Sequence, residues 1–174
     1  MNRNDKDDRE KKKKKEQVII REMTIDDLAS VFHLGEKLFT PESSPNLYRT
    51  WDEYEVVDAF RNNAEFCLAA ESEEEEIVGF ILGTTIEKRR SSWKYGYLIW
   101  LGVDEKYQDK GVASRLFNHF RNLMIDEGVR MLLVDTEANN LSAIGFFEKM
   151  GFEKPKKHVY LSLNLDSERP SGKE

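Results

Sequence analysis

The sequence lacks the features that are typical of extracellular and membrane proteins. It contains a single cysteine, Cys67, which excludes an intrachain disulfide. No apolar run reaches the roughly 18 residues that a membrane-spanning helix requires, and no signal-peptide segment follows Met1. The three histidines, His33, His119 and His158, are far apart, so we expect no metal site. We therefore expect a cytoplasmic protein with no membrane partner.

The charge of the chain is unevenly distributed. Its 174 residues carry a net charge of −6. Residues 1–16 contribute +3, residues 166–174 contribute −1, and residues 17–165 therefore carry −8. This division predicts a disordered charged arm over 1–16, one domain over 17–165 and a flexible tail over 166–174. An acidic domain disfavours nucleic acid and favours a cationic partner such as an amine or a basic peptide.

The run Lys11–Lys15 leaves two interpretations open. It is either a solvated part of the arm, or a nuclear-import or polyanion-binding patch.

Hydrophobic periodicity predicts alternating strands and helices. Strands are expected at 17–21, 65–70, 77–85, 95–103, 131–136 and 159–163. Helices are expected after Thr24, which has a capping partner in Asp27, and at 51–60, 109–127 and 139–150. This order predicts an α/β fold with a mixed sheet.

The segment LGVDEKYQDKGVAS, residues 101–114, has the features of an anion-binding turn. A strand stops, a polar turn follows, and Gly111 opens a long helix. The first N–H groups of a helix lack intrahelical partners and lie at the positive end of its dipole. Gly111 and the small Ala113 let a phosphate approach the backbone, while Lys110 adds charge and Ser114 a hydroxyl.

Here the chain resembles the GCN5-related N-acetyltransferase (GNAT) superfamily. Gln108, Gly111 and Ala113 match its Gln/Arg-x-x-Gly-x-Gly/Ala signature, which cradles the pyrophosphate of acetyl-CoA. Downstream, NNLSAIGFFEKMGF resembles the family's Asn-x-x-Ala and Glu-Lys-x-Gly-Phe segment. The pattern is nearest to the branch of protein N-terminal acetyltransferases, and the resemblance covers residues 17–165.

The resemblance implies a mostly antiparallel sheet of about seven strands, splayed between strands 4 and 5 and flanked by four helices. It also implies acetyl-CoA as cosubstrate, with no metal. The pantetheine arm would pair with the backbone of Leu101 and Val103, and Asn140 and Phe147 would lie near the pantetheine and the thioester. The implied cofactor-binding residues are Leu101, Gly102, Val103, Gln108, Asp109, Lys110, Gly111, Val112, Ala113, Ser114, Asn140 and Phe147.

The catalytic residues depart from the family pattern. The family tyrosine that protonates the thiolate corresponds to Phe147, which has no proton to donate. Three alternatives follow: Tyr160 or Tyr97 substitutes, the thiolate leaves unassisted, or the protein binds acetyl-CoA without efficient turnover. The glutamate that one branch places on strand 4 corresponds to Tyr97. The one that another branch places on strand 5 corresponds to Asp135, which is either the general base or a structural carboxylate, with Glu137 in reserve.

The acceptor site is implied to lie between the first strands and near residues 153–160. Its acidic and aromatic residues suit a cation, or else form ordinary surface and core edge. They are Phe39, Glu42, Tyr48, Trp51, Asp52, Glu53 and Glu55.

The leading hypothesis is an enzyme that acetylates a primary amine of a protein, peptide or small molecule by direct attack in a ternary complex. The alternatives are a catalytically weak acetyl-CoA-binding module and a polyanion-binding protein that uses the lysine run. The oligomeric state stays open, with a homodimer as one alternative.

Overall fold

The computed structural model describes residues 17–40, 50–87 and 93–156, together with Val159, Leu161 and Leu163. The described strands are β1 (Ile19–Glu22), β2 (Cys67–Glu71), β3 (Ile77–Glu87), β4 (Lys94–Val103) and β5 (Met131–Leu133). The described helices are α1 (Leu28–Leu38), α2 (Glu53–Asn63), α3 (Val112–Asp126) and α4 (Leu141–Lys149). By their internal contacts, residues up to Glu137 form one compact unit and residues from Ala138 onwards form a second.

The five strands form one sheet in the order β1-β2-β3-β4-β5. Neighbouring strands are antiparallel except β4 and β5, which are parallel. The predicted α/β fold with a mixed, mostly antiparallel sheet is thereby confirmed. Five of the predicted strands fall in the described residues, and the one at 159–163 lies partly outside them.

Helices α1 and α2 cover one face of the sheet, over an aromatic core. The rings of Trp51 and Trp100 meet edge to face with centroids 5.2 Å apart, and Phe80 lies 5.3 Å from Trp51. Gly35 of α1 makes room for this cluster, because a Cβ there would lie 2.1 Å from the Trp51 ring. The Trp51 indole nitrogen donates to the Phe32 carbonyl oxygen at 3.0 Å, so its one polar atom is satisfied.

Helix α3 covers the opposite face through the stripe that the sequence predicts. Its buried residues are Val112, Leu116, Phe117, Phe120 and Met124. Gly83 of β3 lets the Phe120 ring rest on the strand, since an added Cβ would come within 2.3 Å of it. Helices therefore pack on both faces of the sheet.

The predicted cap after β1 is present, and its carboxylate also binds a side chain of β1. The Thr24 backbone N–H and hydroxyl both donate to Asp27, at 2.7 and 3.0 Å. Arg21 of β1 donates two further hydrogen bonds to the same carboxylate, at 2.7 and 2.9 Å. These donors hold the pKa of the buried Asp27 carboxyl down at about 2, with the Arg21 hydrogen bonds as the largest cause.

Two differences from the predicted boundaries bear on the site. Helix α3 begins at Val112 rather than at Asp109, because Asp109 and Gly111 adopt left-handed backbone angles that a helix excludes. Strand β5 ends at Leu133 rather than Thr136, and Met131 and Leu133 are exposed where a buried strand was expected. No helix in the described part of the chain is long and apolar enough to cross a membrane.

Candidate active site

Strand β4 contains a bulge close to the point where its pairing with β5 ends. Leu82 pairs with Trp100 and the next residue, Gly83, pairs with Leu98, so β4 has one residue more than β3 at this point, Ile99. Such an extra residue bends the strand and increases its twist. On the other side, β5 pairs with Tyr95–Tyr97 only. From Leu98 to Val103, β4 does not pair with β5, and this part of the β4 edge is called the opening below.

Two predicted catalytic residues meet at the mouth of this opening. Tyr97 is the last residue of β4 that pairs with β5, opposite Leu133. Asp135 follows two residues beyond the end of β5. The Tyr97 hydroxyl donates a hydrogen bond to the Asp135 carboxylate. The phenol is half-buried and the carboxylate is exposed, so the pair spans the gap where the strands part and faces solvent.

The turn after β4 is fixed by its own polar groups. The Asp104 carboxylate accepts from the Lys106 N–H at 2.9 Å. Gln108 donates its side-chain amide to the Val103 carbonyl oxygen at 3.1 Å and its backbone N–H to Glu105 at 3.3 Å. The signature glutamine therefore ties the end of β4 to the turn. The donors left for a diphosphate lie further along the chain.

Those donors are at the start of α3. Asp109 and Gly111 have φ of +57° and +81°, and turns that contain left-handed residues can form concave nests of N–H groups that bind anions. The first helical hydrogen bond runs from the Arg115 N–H to the Gly111 carbonyl at 3.1 Å. The N–H groups of Val112, Ala113 and Ser114 thus precede the hydrogen-bonded ladder of the helix.

The surroundings of this helix start suit a diphosphate. The first turn of α3 contains no acidic residue, and the helix dipole adds positive potential there. The ammonium group of Lys110 lies over the Tyr107 ring, 4.9 Å from its centroid. A Cβ added at Gly111 would meet nothing within 4 Å, so the space in front of the turn is open to a ligand. The residues present fit the pyrophosphate of acetyl-CoA.

A groove of about 250 Å³ borders the same region on the α2 face of the sheet. It is lined by Asp52, Tyr54, Glu55, Asp58, Ala59, Asn62, Asn63, Thr84 and Ile99. Thr84 pairs directly with Tyr97, and paired residues of neighbouring strands point to the same face. The groove therefore lies beside Tyr97. Glu55 is held in it by the Trp100 indole, whose nitrogen donates at 2.8 Å.

The second unit holds two further predicted residues. Asn140 caps α4, its side-chain oxygen accepting from the Ala143 N–H at 3.0 Å. Phe147 is buried between Phe146 and Phe152, with ring centroids 5.2 and 5.3 Å away. Both have local structural roles, and their contacts with acetyl-CoA stay predictions. Tyr160 and His158 lie outside the described residues.

Comparison with known proteins shows the family. The model of the acetyltransferase (GNAT) family matches residues 28–152, well over half of the chain. The chain belongs to the acetyltransferase (GNAT) family. This confirms the resemblance seen in the sequence and, with it, acetyl-CoA as the cosubstrate.

Solved structures support the fold. A chain of the NatC complex bound to Gag peptide and CoA superposes with a TM-score of 0.68 at 20% identity, over 80% of this chain and 87% of that one. An aminoglycoside acetyltransferase from an uncultured soil metagenomic sample, in complex with sisomicin, gives 0.66 at 20% identity, over 84% and 97%.

Sequence relatives match this chain over only about half of its length. N-alpha-acetyltransferase 30 of Xenopus laevis is 30% identical over 90 residues, 52% of this chain and 33% of that protein. The human protein of the same name is 29% identical over 90 residues, 25% of its length. The chain thus spans a third or less of these relatives.

Sequence reasoning missed part of the groove. Asp58, Asn62 and Thr84 were not predicted as site residues. Asp58 and Asn62 follow Glu55 at helical spacing, so the polar face of α2 was a signal that points to the groove. In the described part of the chain, no group of three or more His, Cys, Asp or Glu side chains is placed to hold a metal ion.

Proposed function

We propose that this protein transfers the acetyl group of acetyl-CoA to a primary amine by direct attack in a ternary complex. One observation carries the proposal: β4 connects two ends of a single opening. At one end stands the α3 turn with its unpaired donors, and at the other stands the Tyr97–Asp135 pair. Binding groups and proton-transfer groups are thus placed on one strand and its continuation.

The chain's own groups account for coenzyme binding. The N–H groups of Val112, Ala113 and Ser114 would hold the pyrophosphate. The edge of β4 beyond Tyr97, which does not pair with β5, would pair with the pantetheine arm through Leu101 and Val103, as an added strand does. Bound acetyl-CoA supplies an acyl group activated as a thioester. Everything else that the reaction needs is orientation and the movement of protons.

The acceptor is proposed to be cationic before it reacts. The groove beside Tyr97 presents the carboxylates of Asp52, Glu55 and Asp58 and the phenol ring of Tyr54. Negative charge and an aromatic face both attract an ammonium group. The residues 17–165 carry −8 in total, which adds long-range attraction of the same sign. A peptide α-amine and a small polyamine both meet these requirements.

The proposal is tested by measuring CoA release from acetyl-CoA over a panel of acceptors. The panel contains peptides with free and with blocked α-amines, peptides with lysine, and small di- and triamines. We expect turnover with free amines only, and a higher kcat/KM for acceptors with a second positive charge. If CoA binds but no amine supports turnover, the protein is a binding module and the enzyme proposal is wrong.

A further inference from the structure

We propose that Tyr97 and Asp135 work as one proton relay: Tyr97 is the catalytic residue that contacts the acceptor nitrogen, and Asp135 positions it and receives its proton. This inference rests on the proposed function, because it concerns the amine that is acetylated. The sequence suggested the two residues for separate tasks, Asp135 as the base and Tyr97 as an acid toward the thiolate. Their hydrogen bond joins those tasks.

The direction of the hydrogen bond fixes what each group can do. The Tyr97 hydroxyl is the donor and the Asp135 carboxylate is the acceptor. A phenol that donates its only proton keeps its oxygen lone pairs as acceptors. An ammonium group that reaches Tyr97 from the groove beside Thr84 therefore finds an acceptor oxygen, backed by a negative charge on the far side.

The position of the pair argues for a catalytic rather than a structural role. Asp135 is exposed and Tyr97 is half-buried. A hydrogen bond between such groups adds little to the stability of the fold, since water replaces it at small cost. It does, however, fix the phenol of Tyr97, the last residue of β4 that pairs with β5, where the opening begins. Asp135 lies outside β5, so the strand pairing does not depend on its side chain.

The proton balance of the reaction has a place for this relay. An ammonium acceptor loses two protons in the reaction, one before the N–C bond forms and one as the C–S bond breaks. The ammonium gives the first to the Tyr97 oxygen as the Tyr97 proton moves to Asp135, which then releases it to solvent. The neutral nitrogen attacks the thioester carbon, and its second proton passes through solvent to the departing thiolate. No oxidant or metal is required, and Phe147 is not needed as a proton donor.

The test is a double-mutant cycle with Tyr97→Phe, Asp135→Asn and the double variant, using the best peptide or polyamine acceptor of the wild type. We expect each single variant to lower kcat at neutral pH by about tenfold or more. The double variant should lose no more than the worse single variant, because each change already breaks the whole relay. Losses that multiply to about a hundredfold would show independent residues and overturn the proposal.

Two readouts separate a relay from a structural effect. The affinity for CoA, measured by calorimetry, should stay within twofold of the wild-type value in all three variants. The deficit in kcat/KM should also shrink as the pH rises toward the pKa of the acceptor amine, because a neutral amine no longer needs the relay. A deficit that is equal at every pH would contradict the proposal.

Tyr95→Phe is the matched control. Tyr95 lies on the same strand, two residues earlier, and pairs with Met131 of β5 rather than reaching the opening. We expect it to retain activity within twofold of the wild type. Equal losses in Tyr95→Phe and Tyr97→Phe would assign both to the strand and not to a relay. Absence of turnover in the wild-type protein would instead contradict the proposed function itself, which distinguishes that outcome from failure of the relay.

Discussion

One face of β4 packs into the core of the protein, whereas an edge of the same strand belongs to the candidate site. Trp100 lies in the aromatic core beneath α1 and α2, where its ring packs against those of Phe39 and Trp51. The edge of the same strand from Leu98 to Val103 does not pair with β5 and forms the opening. The bulge at Ile99 separates these roles, because it lets the strand stay anchored while its edge leaves β5. A rigid core thus supports an open edge.

The largest expected effect tests the core. Phe80→Ala removes a fully buried ring that contacts Phe39 and Trp51. It should lower the free energy of unfolding by about 3–5 kcal/mol, from lost burial and the cavity left behind. Urea unfolding measures this change. Ile25→Ala, at a side chain that is 70% exposed, is the control and should change stability by less than about 0.5 kcal/mol.

The next effect tests the open edge. Gly111→Glu forces a side chain into the left-handed region and places a carboxylate in front of the α3 donors. The affinity for CoA should fall by about a hundredfold or more, which is about 2.7 kcal/mol.

Gly128 offers a matched control at the opposite end of α3. Its φ is +76°, and a Cβ there would also meet nothing within 4 Å. Gly128→Glu should cost similar backbone strain and leave CoA binding unchanged. If both variants lose CoA affinity equally, the effect comes from strain in α3 and not from the diphosphate site.

A smaller effect concerns the Arg21–Asp27 pair, which belongs to the rigid region. The pKa of Asp27 is lowered to about 2 from its usual value near 3.8, so its ionised form stabilises the fold. That stabilisation, about 2 kcal/mol, is fully present above about pH 4 and is lost as the pH falls toward 2. The free energies of unfolding of the wild type and of Asp27→Asn should differ by this amount at neutral pH and converge near pH 2. A constant difference would exclude the ionised pair as the cause.

The smallest expected effect is at Cys67. It is fully buried in β2, and burial raises the pKa of its thiol to about 12. The thiolate is the reactive form, so a maleimide reagent should not label the native protein at neutral pH and should label it in urea. Labelling of the native protein at the rate seen in urea would mean that the core opens readily.

Local patterns in the sequence predicted much of this architecture. The apolar spacing along 112–124 is set by the helix period, and the capping partners Thr24 and Asp27 act across three residues. The motif with Gln108 and Gly111 indicated the family because its residues also lie close together in the sequence.

What depends on strand register could not be read from the sequence. The bulge at Ile99 is defined only by its neighbours on β3, and the bond between Tyr97 and Asp135 joins residues 38 positions apart. The early end of β5 is likewise a matter of register, because β5 pairs with β4 only at Tyr95–Tyr97.

The central claim is that one opening along β4 receives the coenzyme, with its diphosphate at the start of α3. Titration of CoA into isotope-labelled protein, followed through backbone amide resonances, tests it most directly. We expect the largest shifts at Val112–Ser114 and at Leu98–Val103, with little change at the core residues Phe80 and Trp51. Binding that leaves those amides unshifted, or no binding at all, would contradict it.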